Sequence, residues 1–359
     1  MPVLTRLVPA PVAIDIRSGA LEDLAGLLAD QRVSSRGKLA IAISGGSGAK
    51  LRERLAPALP GADWYEVGGG TIDDAIKLAA DIKSGDYDAV VGLGGGKIID
   101  CAKFAAARVG LSLVAVATNL AHDGLCSPVA TLDNDAGRGS YGVPTPIAVV
   151  IDLDVIHEAP ARYVRSGIGD ALSNISAVAD WELSQRETGE LVDGLAAAMA
   201  RQAGQAVLHH PGTIEDDDFL GVLAEGLVLT GIAMSVANSS RPASGACHEI
   251  CHALDLLYPK RSAQHGEQCG LGAAFATHLR GDRETAALMI AALRKHQLPV
   301  LPQDIGFTPE EFVKAVAYAP QTRPGRYTIL EHLDLNDEQI RDAYADYVKA
   351  TEAVEAVTG

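Results

Sequence analysis

The chain has 359 residues, 48% of them hydrophobic, and a formal net charge of -16. That length and apolar content suffice for two domains, while so acidic a chain lacks the Lys and Arg surplus that a nucleic acid or anionic membrane partner requires. The five cysteines (Cys101, Cys126, Cys247, Cys251 and Cys269) are odd in number and include no C-x-x-C pair, which argues against a disulfide framework or a zinc ribbon. No apolar run reads as long enough for a membrane helix, and the first residues lack a leader-like core. A cytoplasmic protein acting on small molecules is the expectation.

Residues 1–155 alternate short apolar strands with helical patterns, the signature of a parallel sheet covered on both faces. Leu39 to Ile43 reads as a strand, and SGGSGAKLRERL as a turn leading into a helix. Asp63 to Val67 is the next strand, followed by Gly68 to Gly70 and the helix TIDDAIKLAADIKSG. Ala89 to Leu93 runs into GGGKIIDCAKFAAARVG, a strand, glycine turn and helix in succession. Leu113 to Ala117 and Ile147 to Ile151 are further strands, with Thr118 to Pro128 an irregular loop between them. From Pro160 the patterning turns helical through to the tail. The expectation is therefore a dinucleotide-binding α/β domain over 1–155 and an all-helical domain over 156–359, packed with a cleft between them.

Gly94, Gly95 and Gly96 follow a strand and open a helix, where backbone N–H groups and the positive helix end suit a pyrophosphate. Lys97 is followed by Ile98 rather than Ser or Thr, so this is not a magnesium-binding P-loop. After the strand 39–43 stand Ser44, Gly45, Gly46 and Ser47, with no carboxylate to repel a 2'-phosphate, which permits NADPH. Asp123 before Gly124 reads either as a turn residue or as a substrate contact at the end of a strand. Asp170 follows a Gly-x-Gly bend and reads as an acid in the first turn of a buried helix.

Residues 241–268, RPASGACHEICHALDLLYPKRSAQHGEQ, hold three histidines. His248 and His252 are one helical turn apart and share a face, and His265 follows a Pro-containing break. Such convergence suits a divalent metal. The pentapeptide His248 to His252 also spells H-E-x-x-H, in which both histidines would hold zinc, Glu249 would be the general base and Glu267 a third ligand. Cys251, on the face of His248, is a further conceivable ligand.

Five ordered motifs bear on that choice: GGGKIID, T-x-x-x-HDG-x-x-SP, G-x-GD-x-x-SN-x-x-AV-x-DW, RPASG-x-x-H-x-x-x-HALD and HGEQ-x-G. Together they span about residues 38–280 and resemble the glycerol-1-phosphate dehydrogenases, within the superfamily of iron-containing alcohol dehydrogenases, glycerol dehydrogenases and dehydroquinate synthases. The resemblance implies a Rossmann-like α/β domain followed by an all-α domain, the dehydroquinate synthase-like fold, in a homo-oligomer. It implies Asp170, His248 and His265 as ligands of zinc, or of iron or nickel. His252 then faces the substrate as a proton relay instead of binding metal, and Asp123 and Asp170 also serve the substrate. Gly94, Gly95, Gly96, Lys97, Ile98 and Asp100 match the pyrophosphate loop of NADH or NADPH; Thr118, Asn119, Ala121 and Ser127 match the nicotinamide side. The chain departs from the pattern at Ala121, where Ser is usual, at Val129, where Arg is common, and at Cys247, where Glu is common. The implied reaction is reduction of dihydroxyacetone phosphate, or a close phosphorylated ketone, to sn-glycerol 1-phosphate. Alternatives are a polyol or alcohol dehydrogenase, a dehydroquinate synthase-like cyclase and, remotely, a zinc peptidase. A phosphorylated substrate needs a local cation in so acidic a chain, and Arg241, Lys260 and Arg261 flank the histidines.

Overall fold

The computed structural model describes residues 8–135, 137–261 and 263–358. The chain divides between Ala159 and Pro160 into two compact units, a few residues beyond the boundary read from the sequence.

The first unit is built on six parallel strands: β1 (Ala13–Arg17), β2 (Leu39–Ser44), β3 (Ala62–Val67), β4 (Ala89–Gly94), β5 (Ser112–Ala117) and β8 (Ala148–Asp152), in the order β1-β8-β5-β4-β2-β3. A separate antiparallel hairpin joins β6 (Val129–Asn134) to β7 (Gly137–Gly142). The inner strands are apolar without alternation because both faces are covered, and Leu39 to Ile43 is buried throughout. Leu39, Ile41, Ile43, Val91, Leu93, Val114, Val116 and Val150 share one core with Leu21, Leu24, Leu28 and Leu55. These last come from the segment around α1 (Leu24–Leu28) and from α2 (Ser47–Leu55). The helices α3 (Ile72–Lys83) and α4 (Gly96–Val109) also pack on the sheet, and α5 (Leu153–Glu158) closes the unit. Strand β1 and the β6–β7 hairpin were not anticipated: AIDIR interleaves charges along an edge strand, and GRGSYG has the composition of a loop.

Order in this sheet decides where a ligand fits. From β2 the chain steps to β3 on one side and then to β4 on the other, so the loops leaving β2 and β4 diverge and open a crevice at the carboxyl ends of the strands. Both glycine-containing turns, Gly45–Gly46 and Gly94–Gly96, lie at that switch point.

The second unit is helical throughout its described residues, with α6 (Ala161–Thr188), α7 (Gly194–His209), α8 (Asp217–Ala237), α9 (Ala246–Leu257), α10 (His265–Leu279), α11 (Arg283–Lys295), α12 (Pro309–Tyr318), α13 (Ile329–Leu333) and α14 (Asp337–Thr358). Contrary to the sequence reading, α8 is long and apolar enough to cross a membrane, and most of it is buried, as in a core helix. Helix α6 does not start beside Asp170. It runs unbroken through Gly167 and Gly169, which puts Asp170 in mid-helix. The glycines serve close approach instead of bending. A Cβ on Gly169 would lie 2.1 Å from the carbonyl oxygen of Gly266, and one on Gly266 would lie 1.7 Å from that of Ser166. Helices α6 and α10 thus meet backbone to backbone, and Gly272 of α10 is pressed in the same way against Cys247 of α9.

Candidate functional site

Those three helices each carry one member of a compact donor set. His248 Nε2 and His265 Nε2 are 3.2 Å apart, and Asp170 Oδ1 is 3.9 Å from the first and 3.6 Å from the second. Nitrogen or oxygen ligands at about 2.0–2.1 Å from a tetrahedral zinc ion are separated by roughly 3.3–3.4 Å, so the triangle has the dimensions of three corners of such a shell. The donor chemistry, one carboxylate and two imidazoles, fits a divalent transition metal. Burial, and then the neighbouring His265 and His252, hold His248 well below its ordinary value. It therefore offers the neutral lone pair that a metal takes.

Both imidazoles present Nε2 to the triangle and Nδ1 to a thiol. His265 Nδ1 is 3.4 Å from Cys251 Sγ, and His248 Nδ1 is 3.4 Å from Cys247 Sγ. Cys251 therefore backs the His265 ring from the side away from the donor triangle, the position from which a neighbouring group orients a histidine. The thiol on the inner side is Cys269, one turn beyond His265, with Sγ 3.5 Å from His265 Nε2. Its donor atom completes a group of four within 4.8 Å of one another. Burial and the adjacent Cys251 push the Cys269 thiol well above its usual value, which disfavours the thiolate form that ligates metals. Sequence reasoning did not single out Cys269, although its i,i+4 spacing from His265 was a signal.

The H-E-x-x-H pentapeptide does not build the protease arrangement. His252 lies outside the donor group, its ring centroid 6.3 Å from that of His248. Glu249 is fully buried, with Thr328 Oγ1 3.1 Å from its Oε2. Burial and then the nearby Glu331 push its carboxyl up to about 8. Nor is Glu267 placed as a ligand: it receives both arms of the Arg162 guanidinium at 2.7 Å and accepts from Gln264 N–H in a capping box that starts α10. The DW pair has a structural explanation. Buried Asp180 accepts from Ala246 N–H at the head of α9 at 2.8 Å, from Ile329 N–H at 2.9 Å and from Arg280 at 2.7 Å, tying down the helix that bears His248.

In the first unit the glycine turn is tight for cause. Gly95 is the N-cap of α4, which has no side-chain cap, so the first N–H groups of the helix face outward. A Cβ on Gly95 would lie 2.6 Å from Asn119 Nδ2, and one on Gly96 would lie 2.5 Å from His122 Nε2. The residues Gly94 to Ile98, Thr118 and Asn119 are thereby gathered at the end of β4, with Thr118 N–H donating to Gly94 O at 3.1 Å. Lys97 is exposed and Ile98 is buried. Ala121 N–H donates to Asn119 Oδ1 at 3.3 Å, half-buried Asp123 opens a short 3-10 turn, and buried Ser127 donates its N–H to Asp123 O at 3.0 Å. Asp100 is turned inward: it is buried 3.2 Å from Lys103 Nζ and accepts from Thr131 N–H at 3.1 Å, fastening the hairpin to α4. His122 was missed by sequence reasoning.

Two expectations about charge change. A carboxylate does stand at the β2 turn, supplied by the next strand: a Cβ on Gly45 would be 2.5 Å from Glu66 Oε1. It stands on β3, outside the residues directly after β2 that the sequence reading considers. Among the flanking cations, Arg241 is buried against Glu190, with Nε to Oε1 at 2.8 Å, and donates to Tyr327 O at 3.0 Å. Arg261 is bound to Glu311 on the surface, and Lys260 is exposed. The arginines acting on His248 are Arg323 and Arg326.

The family model for iron-containing alcohol dehydrogenases, a class of oxidoreductases, matches residues 15–160, the α/β unit. The chain is 33% identical to a glycerol-1-phosphate dehydrogenase [NAD(P)+] of Methanothermobacter thermautotrophicus over 97% of its own length and 99% of that protein. It is 36% identical to the one of Hyperthermus butylicus, over 89% and 92%. Its fold is that of the glycerol dehydrogenase of Schizosaccharomyces pombe, with TM-score 0.79 at 20% identity and coverage of 99% and 93%. The chain belongs to the glycerol-1-phosphate dehydrogenase family.

Proposed function

We propose that the protein is a metal- and NAD(P)H-dependent dehydrogenase that reduces dihydroxyacetone phosphate to sn-glycerol 1-phosphate. The observation that carries this reading is the Asp170–His248–His265 triangle, with edges of 3.2, 3.6 and 3.9 Å, in a chain related over its whole length to enzymes of that name. When bound, a divalent ion such as zinc supplies Lewis-acid polarisation of the ketone oxygen, and the reduced nicotinamide supplies hydride.

The remaining work falls to the chain's own groups. Asp170, His248 and His265 hold the ion, and Cys247 and Cys251 steady the two rings from behind. His252, one turn beyond His248 and half-buried, carries the proton that the product hydroxyl needs. The uncapped start of α4 binds the dinucleotide pyrophosphate, with Asn119 and His122 packed on the glycines to shape the turn. Asp123 contributes a substrate hydrogen bond, and Thr118, Ala121 and Ser127 border the nicotinamide.

The test is oxidation of NADPH or NADH, followed at the reduced-nicotinamide absorbance, on addition of dihydroxyacetone phosphate. Stripping with a chelator should abolish the rate and zinc should restore it. Substrate consumption without net cofactor oxidation would instead mark a cyclase, and equal rates with unphosphorylated ketones a general polyol dehydrogenase.

A further inference from the structure

The three cations nearest the histidines in sequence are committed elsewhere or out on the surface, which leaves the question of what would hold a phosphate beside the donor triangle. The answer lies about sixty residues further on. Arg323, Pro324, Gly325 and Arg326 form a tight turn closed by Arg326 N–H donating to Arg323 O at 3.0 Å. Proline follows the first residue and Gly325 has φ +86°, the requirements of a type II turn. Such a turn brings the Cα atoms of its first and last residues within about 7 Å, and the charge of Arg323 acts on Arg326.

The turn is fastened to the start of α9. Thr322 Oγ1 donates to Glu249 O at 3.5 Å, next to His248. Arg326 donates to Ser244 O and, at 2.9 Å, to Ser240 Oγ, both just ahead of α9. The guanidinium of Arg323 makes neither a hydrogen bond nor an ion pair among the described residues. The carboxylates of this region are engaged: Glu190 with Arg241, Asp180 with Arg280, Glu249 and Glu331 with Thr328. Two like charges on one half-buried turn repel one another, and among the described residues no carboxylate forms an ion pair with either guanidinium, the nearby Glu249 acting on them only at a distance. A dianion removes that frustration, and arginine presents the planar fork that matches phosphate oxygens.

We propose that Arg323, with Arg326 behind it, is the anion subsite that receives the phosphate group of the substrate, a short-chain ketone or alcohol phosphate, next to the His248 ligand. This rests on the reading of the substrate as phosphorylated. Arg323 is the specificity-determining residue, because Arg326 is already spent on the backbone and hydroxyl ahead of α9.

The experiment compares the full-length zinc-loaded wild type with Arg323→Gln and Arg323→Lys, using dihydroxyacetone phosphate and unphosphorylated dihydroxyacetone. In Arg323→Gln the ratio of kcat/KM for the phosphorylated over the plain ketone should fall about tenfold or more. The fall should lie in KM rather than kcat, and Arg323→Lys should recover part of it. A ratio within twofold of wild type, or an equal loss on both ketones, overturns the proposal. Calorimetric titration with inorganic phosphate decides the subsite independently of turnover. Binding lost in Arg323→Gln supports it, and binding retained overturns it. A wild type that binds phosphate through Arg323 but oxidises no cofactor with dihydroxyacetone phosphate would refute the proposed reaction and leave the subsite standing.

Discussion

The substitution Gly266→Ala adds one methyl group next to His265, and the structure says what that methyl meets. Its carbon would sit 1.7 Å from Ser166 O and 3.0 Å from Asp170 N, where ordinary contact begins at 3.4 Å. Helices α6 and α10 must therefore part locally by about 1.7 Å, the difference between those distances. Alanine itself favours a helix over glycine by about 1 kcal/mol, so an exposed position would gain stability. Here overpacking of about 1–3 kcal/mol or more opposes that gain, and the hydrogen bond from Gly266 N–H to Ser166 Oγ at 3.0 Å is strained as well. The displacement also carries His265 away from Asp170, opening a triangle whose edge there is 3.6 Å. The expected outcome is a lowered Tm together with zinc affinity reduced about 10- to 100-fold, the range for disturbed support of a metal site. Differential scanning fluorimetry and chelator competition measure the two. An unchanged Tm with wild-type zinc affinity would mean that the glycine contact does not set the ligand geometry.

The other expectations concern single side chains. Glu249→Gln should keep dehydrogenase activity, because the amide oxygen can still accept from Thr328 Oγ1; abolished turnover with metal retained would restore a base role. Burial holds the Glu249 carboxyl at about 8 against 4.5 unfolded, so its stabilising contribution is full below about pH 4.5 and is lost as pH rises to about 8, at up to about 1.4 kcal/mol per pH unit. The Gln variant should accordingly show a flatter decline of Tm between pH 5 and 8, and parallel profiles would contradict the burial argument. Glu66→Gln should raise the kcat/KM ratio of NADPH over NADH about tenfold by removing the carboxylate beside Gly45; no change in the ratio would place the adenosine ribose elsewhere. His252→Ala should lower kcat by about 10²-fold or more with metal content unchanged, and loss of the metal by this variant, seen in elemental analysis, would count against a relay outside the ligand set.

Elements whose signal is local were legible in the chain. Strands β2, β4, β5 and β8 announce themselves as apolar runs because both sheet faces are covered, and the glycine turn after β4 is written in consecutive residues. The five motifs likewise pointed to Asp170, His248 and His265 through resemblance, where spacing alone left His252 and Glu267 as competitors. What local patterning could not supply is convergence. Gly167 and Gly169 read as a bend, yet they continue a helix, since the partner that explains Gly169 is a carbonyl on α10. Glu66 reaches the β2 turn from the neighbouring strand, and the charge of Arg323 acts on His248 across a gap of 75 positions. Which ring nitrogens turn toward Asp170 is fixed by how α6, α9 and α10 are pressed together, and that packing depends on atoms far apart along the chain.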